Sequence, residues 1–118
     1  RRSSDLGASA EIIGKGIARL LEQINQYADK MKVLVISPIY LGKKVWQDGY
    51  DQEFSPESVE VSKKLELVYE KVAGKYGKRF MRAADYASPS EADQEHMDGQ
   101  SHKILADAIY RKLEAEIL

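Results

Sequence analysis

The chain has 118 residues, 43% hydrophobic and 31% charged, the make-up of one globular domain rather than of a disordered polymer. Its 18 basic and 19 acidic residues leave a formal net charge of -1 with no long block of either sign, which argues against nucleic acid or another polyanion as partner. Cysteine is absent, which removes disulfide scaffolds, thiolate nucleophiles and thiolate zinc sites, and no apolar run approaches the roughly 20 residues needed to span a bilayer.

The first eight residues, Arg1 to Ala8, carry no initiator Met, no apolar signal core and no clear structured start, and read as a cut end. Any targeting segment would lie upstream, so a cytoplasmic location is no more than the default expectation. From about Ser9 to Lys30, Ile13, Ile17, Leu20, Ile24 and Tyr27 recur at helical spacing with Lys15, Arg19, Glu22 and Gln26 between them, predicting an amphipathic helix. Gly14 and Gly16 each cost such a helix roughly 1 kcal/mol relative to Ala, so both are expected to serve close approach to a neighbouring element. Val33-Leu34-Val35-Ile36 is a β-branched run without polar alternation, stopped by Ser37-Pro38, as expected of a central strand buried on both faces of a parallel sheet.

Residues Ile39 to Phe54 have no period and mix Gly42 and Gly49 with Tyr40, Trp46, Tyr50 and Phe54, predicting a long loop. Its aromatics suit a substrate-binding wall or lid, with Tyr40 and Trp46 the candidate substrate contacts, and suit plain packing of the loop equally well. A second helix is announced by Ser55 as N-cap and Pro56 at its first position, with Val61, Leu65, Val68, Val72 and Tyr76 on one face and Gly77 placed to close it. Arg79 to Ala83 predicts a second strand, which completes a βαβ unit with parallel strands. Ala84 to Glu95 reads as loop, and Asp98 can cap a last helix striped with Ile104, Leu105, Ala108, Ile109, Leu113 and Ile117. The order is α-β-α-β-α, a layered α/β pattern with fewer strands than such sheets usually hold.

Open α/β sheets place their chemistry beyond the carboxyl ends of the strands. The segment following the second strand holds both histidines, within Asp93-Gln94-Glu95-His96-Met97-Asp98-Gly99-Gln100-Ser101-His102. An Asp three residues before a His on a turn can accept from the imidazole Nδ1–H and leave Nε2 to face a nucleophile, the orienter and base of a serine hydrolase. The bland alternative is a surface Asp beside a solvated His. The two histidines stand six apart and do not share a helix face as an i, i+4 ligand pair would, so no metal is assigned, and His102 is expected to pack in the first turn of the last helix. No other cofactor is implied.

The final block resembles that of the GDSL/SGNH serine ester hydrolases, in which Asp-x-x-His is followed by an apolar residue, a helix cap and a His in the first turn of the last helix. Asp93, His96, Met97, Asp98 and His102 match, whereas Ser101 stands where that family usually has Gly. The helix from Ser9, the strand ending at Ser37-Pro38 and the βαβ unit also resemble that family's carboxyl-terminal half in order and length. The resemblance implies the carboxyl-terminal portion of a three-layer α/β/α, flavodoxin-like SGNH fold, residues 1–118 forming part of a single domain whose amino-terminal strands are absent. It implies hydrolysis of a small-molecule ester, with Asp93 orienting and His96 acting as general base. The Gly-Asp-Ser block, the oxyanion-donating glycine and the Gly-x-Asn-Asp block of that family are not in this chain, so the serine must come from an upstream segment of the same protein, and the chain alone is expected to be inactive. Ser37 reads as a strand-end residue rather than a nucleophile. The exposed sheet edge calls for that upstream segment or for a second copy of the chain, giving a homo-oligomer. The alternative from a different class is a non-catalytic α/β module that binds a partner through its sheet edge and helix faces.

Overall fold

The computed structural model describes residues 3–51 and 53–117; the Arg1-Arg2 end lies outside them. The elements run α1 (Ser3–Tyr27), β1 (Leu34–Ser37), α2 (Pro56–Lys75), β2 (Arg79–Arg82), a 3-10 turn (Ala83–Asp85) and α3 (Gly99–Glu116). β1 and β2 pair in parallel, from Leu34 opposite Arg79 to Ser37 opposite Arg82. Among the described residues the fold is therefore mixed α/β, with three α-helices and a two-stranded parallel sheet.

Local chemistry explains the boundaries of α2. Pro56 opens the helix after an extended Ser55, whose N–H donates to Ser58 Oγ at 2.9 Å. At the far end Gly77 sits at φ +68°, a left-handed conformation that costs a side chain and that glycine adopts freely. Its N–H donates to Gly74 O at 3.2 Å and the Lys78 N–H to Ala73 O at 2.8 Å, the two-bond Schellman closure. The chain turns from there straight into β2.

Residues in register on parallel strands share a face. Val35 and Phe80 thus lie toward α2, where Val35, Leu21 and Ala73 form the core with Ile17, Ile24, Val72 and Tyr76 around it. Leu34, Ile36, Arg79 and Met81 lie on the opposite face. There α3 is tied down at its carboxyl end, by Arg79 to Glu116 at 3.2 Å and by Lys32 Nζ donating to the Ile117 carbonyl at 2.9 Å. α2 thus packs against the first face, while α3 is tethered beside the second through its carboxyl end.

Several expectations need correction. α1 begins at Ser3, inside the stretch read as unstructured, and β1 runs one residue later than Val33-Ile36. The buried face of α1 carries Ala10, Gly14 and Leu21, while Ile13, Leu20 and Tyr27 are exposed, Tyr27 by 79%. Gly14 does serve close approach, since a Cβ there would lie 2.5 Å from Val68 Cγ1, but Gly16 has nothing within 4 Å. On α2 the most buried residues are Ser58, Val59, Ser62, Glu66 and Ala73 rather than the predicted stripe. Leu34 and Ile36 are only half-buried and α3 buries no residue, so β1 is not covered on both faces as expected. The physical reason is thin cover: the molecule measures 48 × 32 × 16 Å. Its accessible surface is 7853 Å², against about 6,400 Å² for a compact monomer of this mass.

Candidate active site

Both loops that leave the carboxyl ends of the strands converge on one edge. The first, from Pro38 to Phe54, is a chain of tight turns around the fully buried Val45. A polar network fastens it to α2. The Tyr40 hydroxyl donates to Glu66 Oε1 at 2.9 Å, the Leu41 N–H donates to Ser62 Oγ at 3.0 Å, and Arg82 at the end of β2 meets Glu66 at 3.4 Å and Glu70 at 2.8 Å. The hydrogen bond to Glu66 raises the Tyr40 phenol above its ordinary pKa, with burial adding to it. Tyr40 is thus an anchor of its loop. Trp46 is 37% exposed, and neither aromatic borders the groove beside Asp93.

The second loop brings Asp93 and His96 together. His96 Nδ1 lies 2.7 Å from Asp93 Oδ2, while Asp93 Oδ1 accepts from the N–H groups of Glu95 and His96, both at 2.9 Å, and from Ser90 Oγ at 3.1 Å. The Ser90 N–H closes the turn onto the His96 carbonyl at 2.8 Å. The Glu95 and His96 amides, then the imidazole, hold the Asp93 carboxyl far below the usual carboxylate range. Asp93 is therefore an acceptor at neutral pH, and the proton of this bond sits on Nδ1 of His96. The same bond, reinforced by the carboxylate charge, raises the His96 pKa above its ordinary 6.5. The His96 side chain is 80% exposed, so its remaining nitrogen reaches solvent. The arrangement can orient an imidazole and support its positive charge, which is what a general base needs.

Beside this pair an open groove of about 540 Å³ is bordered by Gly49, Tyr50, Asp51, Ala92, Asp93 and Glu95. Burial, and then the hydrogen-bonded Asp51 carboxyl, raise Glu95 above the usual carboxylate range.

Asp98 caps α3 as predicted, accepting from the Ser101 N–H at 2.8 Å. His102 sits in the first turn but is exposed rather than packed. Ser37 is fully buried and its hydroxyl has no hydrogen-bond partner among the described residues. No helix among them is long and apolar enough to cross a membrane.

Two residues escaped the sequence. Glu66 reads there as one more charge on an exposed helix face. Gln94 lies between Asp93 and Glu95 with nothing to distinguish it, yet it is 4% exposed at φ +64° and bridges the two loops. Only its unusual backbone, invisible in the sequence, marks it.

No family model matches the chain, and neither does any curated protein sequence. Solved structures do match. A "putative arylesterase" from Agrobacterium tumefaciens str. C58 superposes with a TM-score of 0.74 at 21% identity, over 96% of this chain and 57% of that one. A carbohydrate acetylesterase from Sinorhizobium meliloti gives 0.72 at 26% identity, over 90% and 52%. A third solved structure gives 0.80 at 27% identity, over 92% and 51%. The chain thus spans about half the length of the solved structures it matches. Its α/β arrangement is one found in esterases.

Proposed function

We propose that the chain is the carboxyl-terminal part of a GDSL/SGNH-type serine ester hydrolase domain with a three-layer α/β/α fold. Asp93 is the orienter, His96 the general base, and the nucleophilic serine lies on an upstream segment. The observation that carries this reading is the hydrogen bond between Asp93 Oδ2 and His96 Nδ1, on the loop beyond the carboxyl end of β2, with the imidazole otherwise open to solvent. The likeness to two proteins named as esterases supports it, as does surface in excess of a compact monomer's, which an upstream segment would cover.

In this mechanism His96 Nε2 takes the proton of the serine hydroxyl as the serine oxygen bonds to the ester carbonyl carbon. The carbonyl electrons move onto oxygen, and the oxyanion is held by donors from the upstream segment. His96 returns the proton to the departing alcohol. Water then repeats the sequence on the acyl-enzyme, releasing the acid and regenerating the serine. Asp93 keeps the imidazole in the Nδ1–H tautomer and balances its charge while it holds the second proton.

Turnover of a small activated acetate ester by the full-length protein tests the proposal. The expected result is hydrolysis that His96→Ala removes and that residues 1–118 alone do not support. Hydrolysis unaffected by His96→Ala would overturn it.

A second reading rests on α1, whose Ile12, Leu20 and Tyr27 are 66, 55 and 79% exposed. A non-catalytic module would use this apolar face to bind a partner. It predicts no ester turnover by the full-length protein and binding lost on Leu20→Glu. In the hydrolase reading the same face takes the upstream segment or a second copy of the chain.

A further inference from the structure

Gln94 makes four hydrogen bonds from one left-handed, buried position. Its backbone carbonyl accepts from the Gly42 N–H at 2.8 Å, its Oε1 accepts from the Lys44 N–H at 3.2 Å, and its Nε2 donates to the Glu91 carbonyl at 3.3 Å. Two of these reach across to the loop that follows β1, and the third ties the carboxamide back to its own loop. Its N–H donates to the Ser90 carbonyl at 2.8 Å, and Ser90 Oγ in turn donates to Asp93. Gly42 is fitted against it: a Cβ there would overlap the carboxamide and lie 2.8 Å from Gln94 Cβ. A residue other than glycine in the left-handed region is disfavoured, and such a conformation persists only where the surroundings over-determine it. Here they do so next to the two residues whose relative placement matters most.

We infer that Gln94 is a positioning residue: it latches the loop after β1 to the turn after β2 and thereby fixes the Asp93 carboxylate and the His96 ring in one geometry. Glutamine supplies what glycine at this φ could not, a carboxamide that accepts from one loop and donates to the other. The kinetic arm of this inference rests on the hydrolase reading; the spectroscopic arm does not.

The experiment uses full-length protein labelled at histidine, with the His96 ring followed by NMR as pH is varied and its resonance assigned by loss in His96→Ala. The wild-type ring is expected to titrate above about 6.5. Gln94→Gly, which keeps the backbone and removes the carboxamide, moves that midpoint down by about half a pH unit or more as the carboxylate loses its placement. In the ester assay it lowers kcat roughly tenfold while KM stays within about twofold. Gly42→Ala, in the other loop, produces the same two changes, and adding it to Gln94→Gly produces no further loss because the group it would strike is gone. Gln94→Asn keeps a residue tolerant of positive φ with a carboxamide one carbon too short. It gives the same direction of change, and replaces Gln94→Gly should that variant fail to fold. A His96 titration unmoved in folded Gln94→Gly or Gln94→Asn, or additive losses from Gly42→Ala and Gln94→Gly, would overturn the inference. Shifts as described without ester turnover by the wild type would sink the hydrolase reading and leave the positioning role standing.

Discussion

The Asp93 carboxylate holds His96 at both ends of the residue: Oδ1 accepts its backbone N–H at 2.9 Å and Oδ2 faces its ring Nδ1 at 2.7 Å. One side chain thus sets the turn and the imidazole together. Asp93→Asn keeps the shape and weakens both, and it offers the ring an amide that can present a donor to Nδ1 in the wrong tautomer. The expected result is a fall in kcat of roughly 10³-fold in the full-length protein. Steady-state kinetics on an activated ester checks it, and a loss under about tenfold would remove Asp93 from the orienting role.

The pH dependence follows from the same pair. As the proposed general base His96 must be neutral, and its pKa is raised, so kcat/KM should fall with unit slope below a midpoint that lies above 6.5. In Asp93→Asn that midpoint drops toward the ordinary value. A rate flat down to pH about 4 would exclude His96.

Stability moves oppositely. A raised His96 pKa contributes stability that is fully present below 6.5 and lost as pH rises through the folded value. A depressed Asp93 pKa contributes stability present above 3.8 and lost progressively as pH falls below it through the depressed folded value. The pair therefore supports the fold most between those two values, on the acid side of the activity proposed for it. In urea unfolding, the gap between wild type and His96→Ala should be wider at pH 5.5 than at pH 8.5, and equal gaps would contradict the assignment.

Two glycines of α1 offer a paired test. Gly14→Ala gains about 1 kcal/mol of helix propensity, but its Cβ would stand 2.5 Å from Val68 Cγ1. Overpacking of that kind costs about 1 to 3 kcal/mol, so the net change is destabilising. Gly16→Ala meets nothing within 4 Å and should stabilise by about 0.5 to 1 kcal/mol. Thermal unfolding of the two variants should shift in opposite directions.

Ser37→Ala removes a buried hydroxyl that has no partner among the described residues. Stability should hold or rise by about 1 kcal/mol, and ester turnover by the full-length protein should not change. Loss of turnover would make Ser37 a candidate nucleophile.

Much of the fold was legible because it depends on local chemistry. Ser55-Pro56 and Gly77 bound α2, Asp98 caps α3, and Asp93 and His96 meet through a turn of four residues. What was not legible depends on partners distant in sequence. α1 carries apolar residues around much of its circumference, and the periodicity of Ile13, Leu20 and Tyr27 cannot say which face meets α2. The small residues Ala10 and Gly14 decide it by allowing the closer approach. Glu66 is buried because Tyr40 and Arg82 arrive from elsewhere, and Gln94 because Gly42 and Lys44 do.

The 16 Å depth of the molecule also governs how residues 1–118 behave when heated by themselves. Heat capacity of unfolding tracks the apolar area newly exposed, about 12 to 15 cal/mol/K per residue for ordinary domains. A slab this shallow has less to expose, so its calorimetric transition should be low in enthalpy and broad. The cooperativity of a sharp melt would have to be supplied by whatever lies against its open faces.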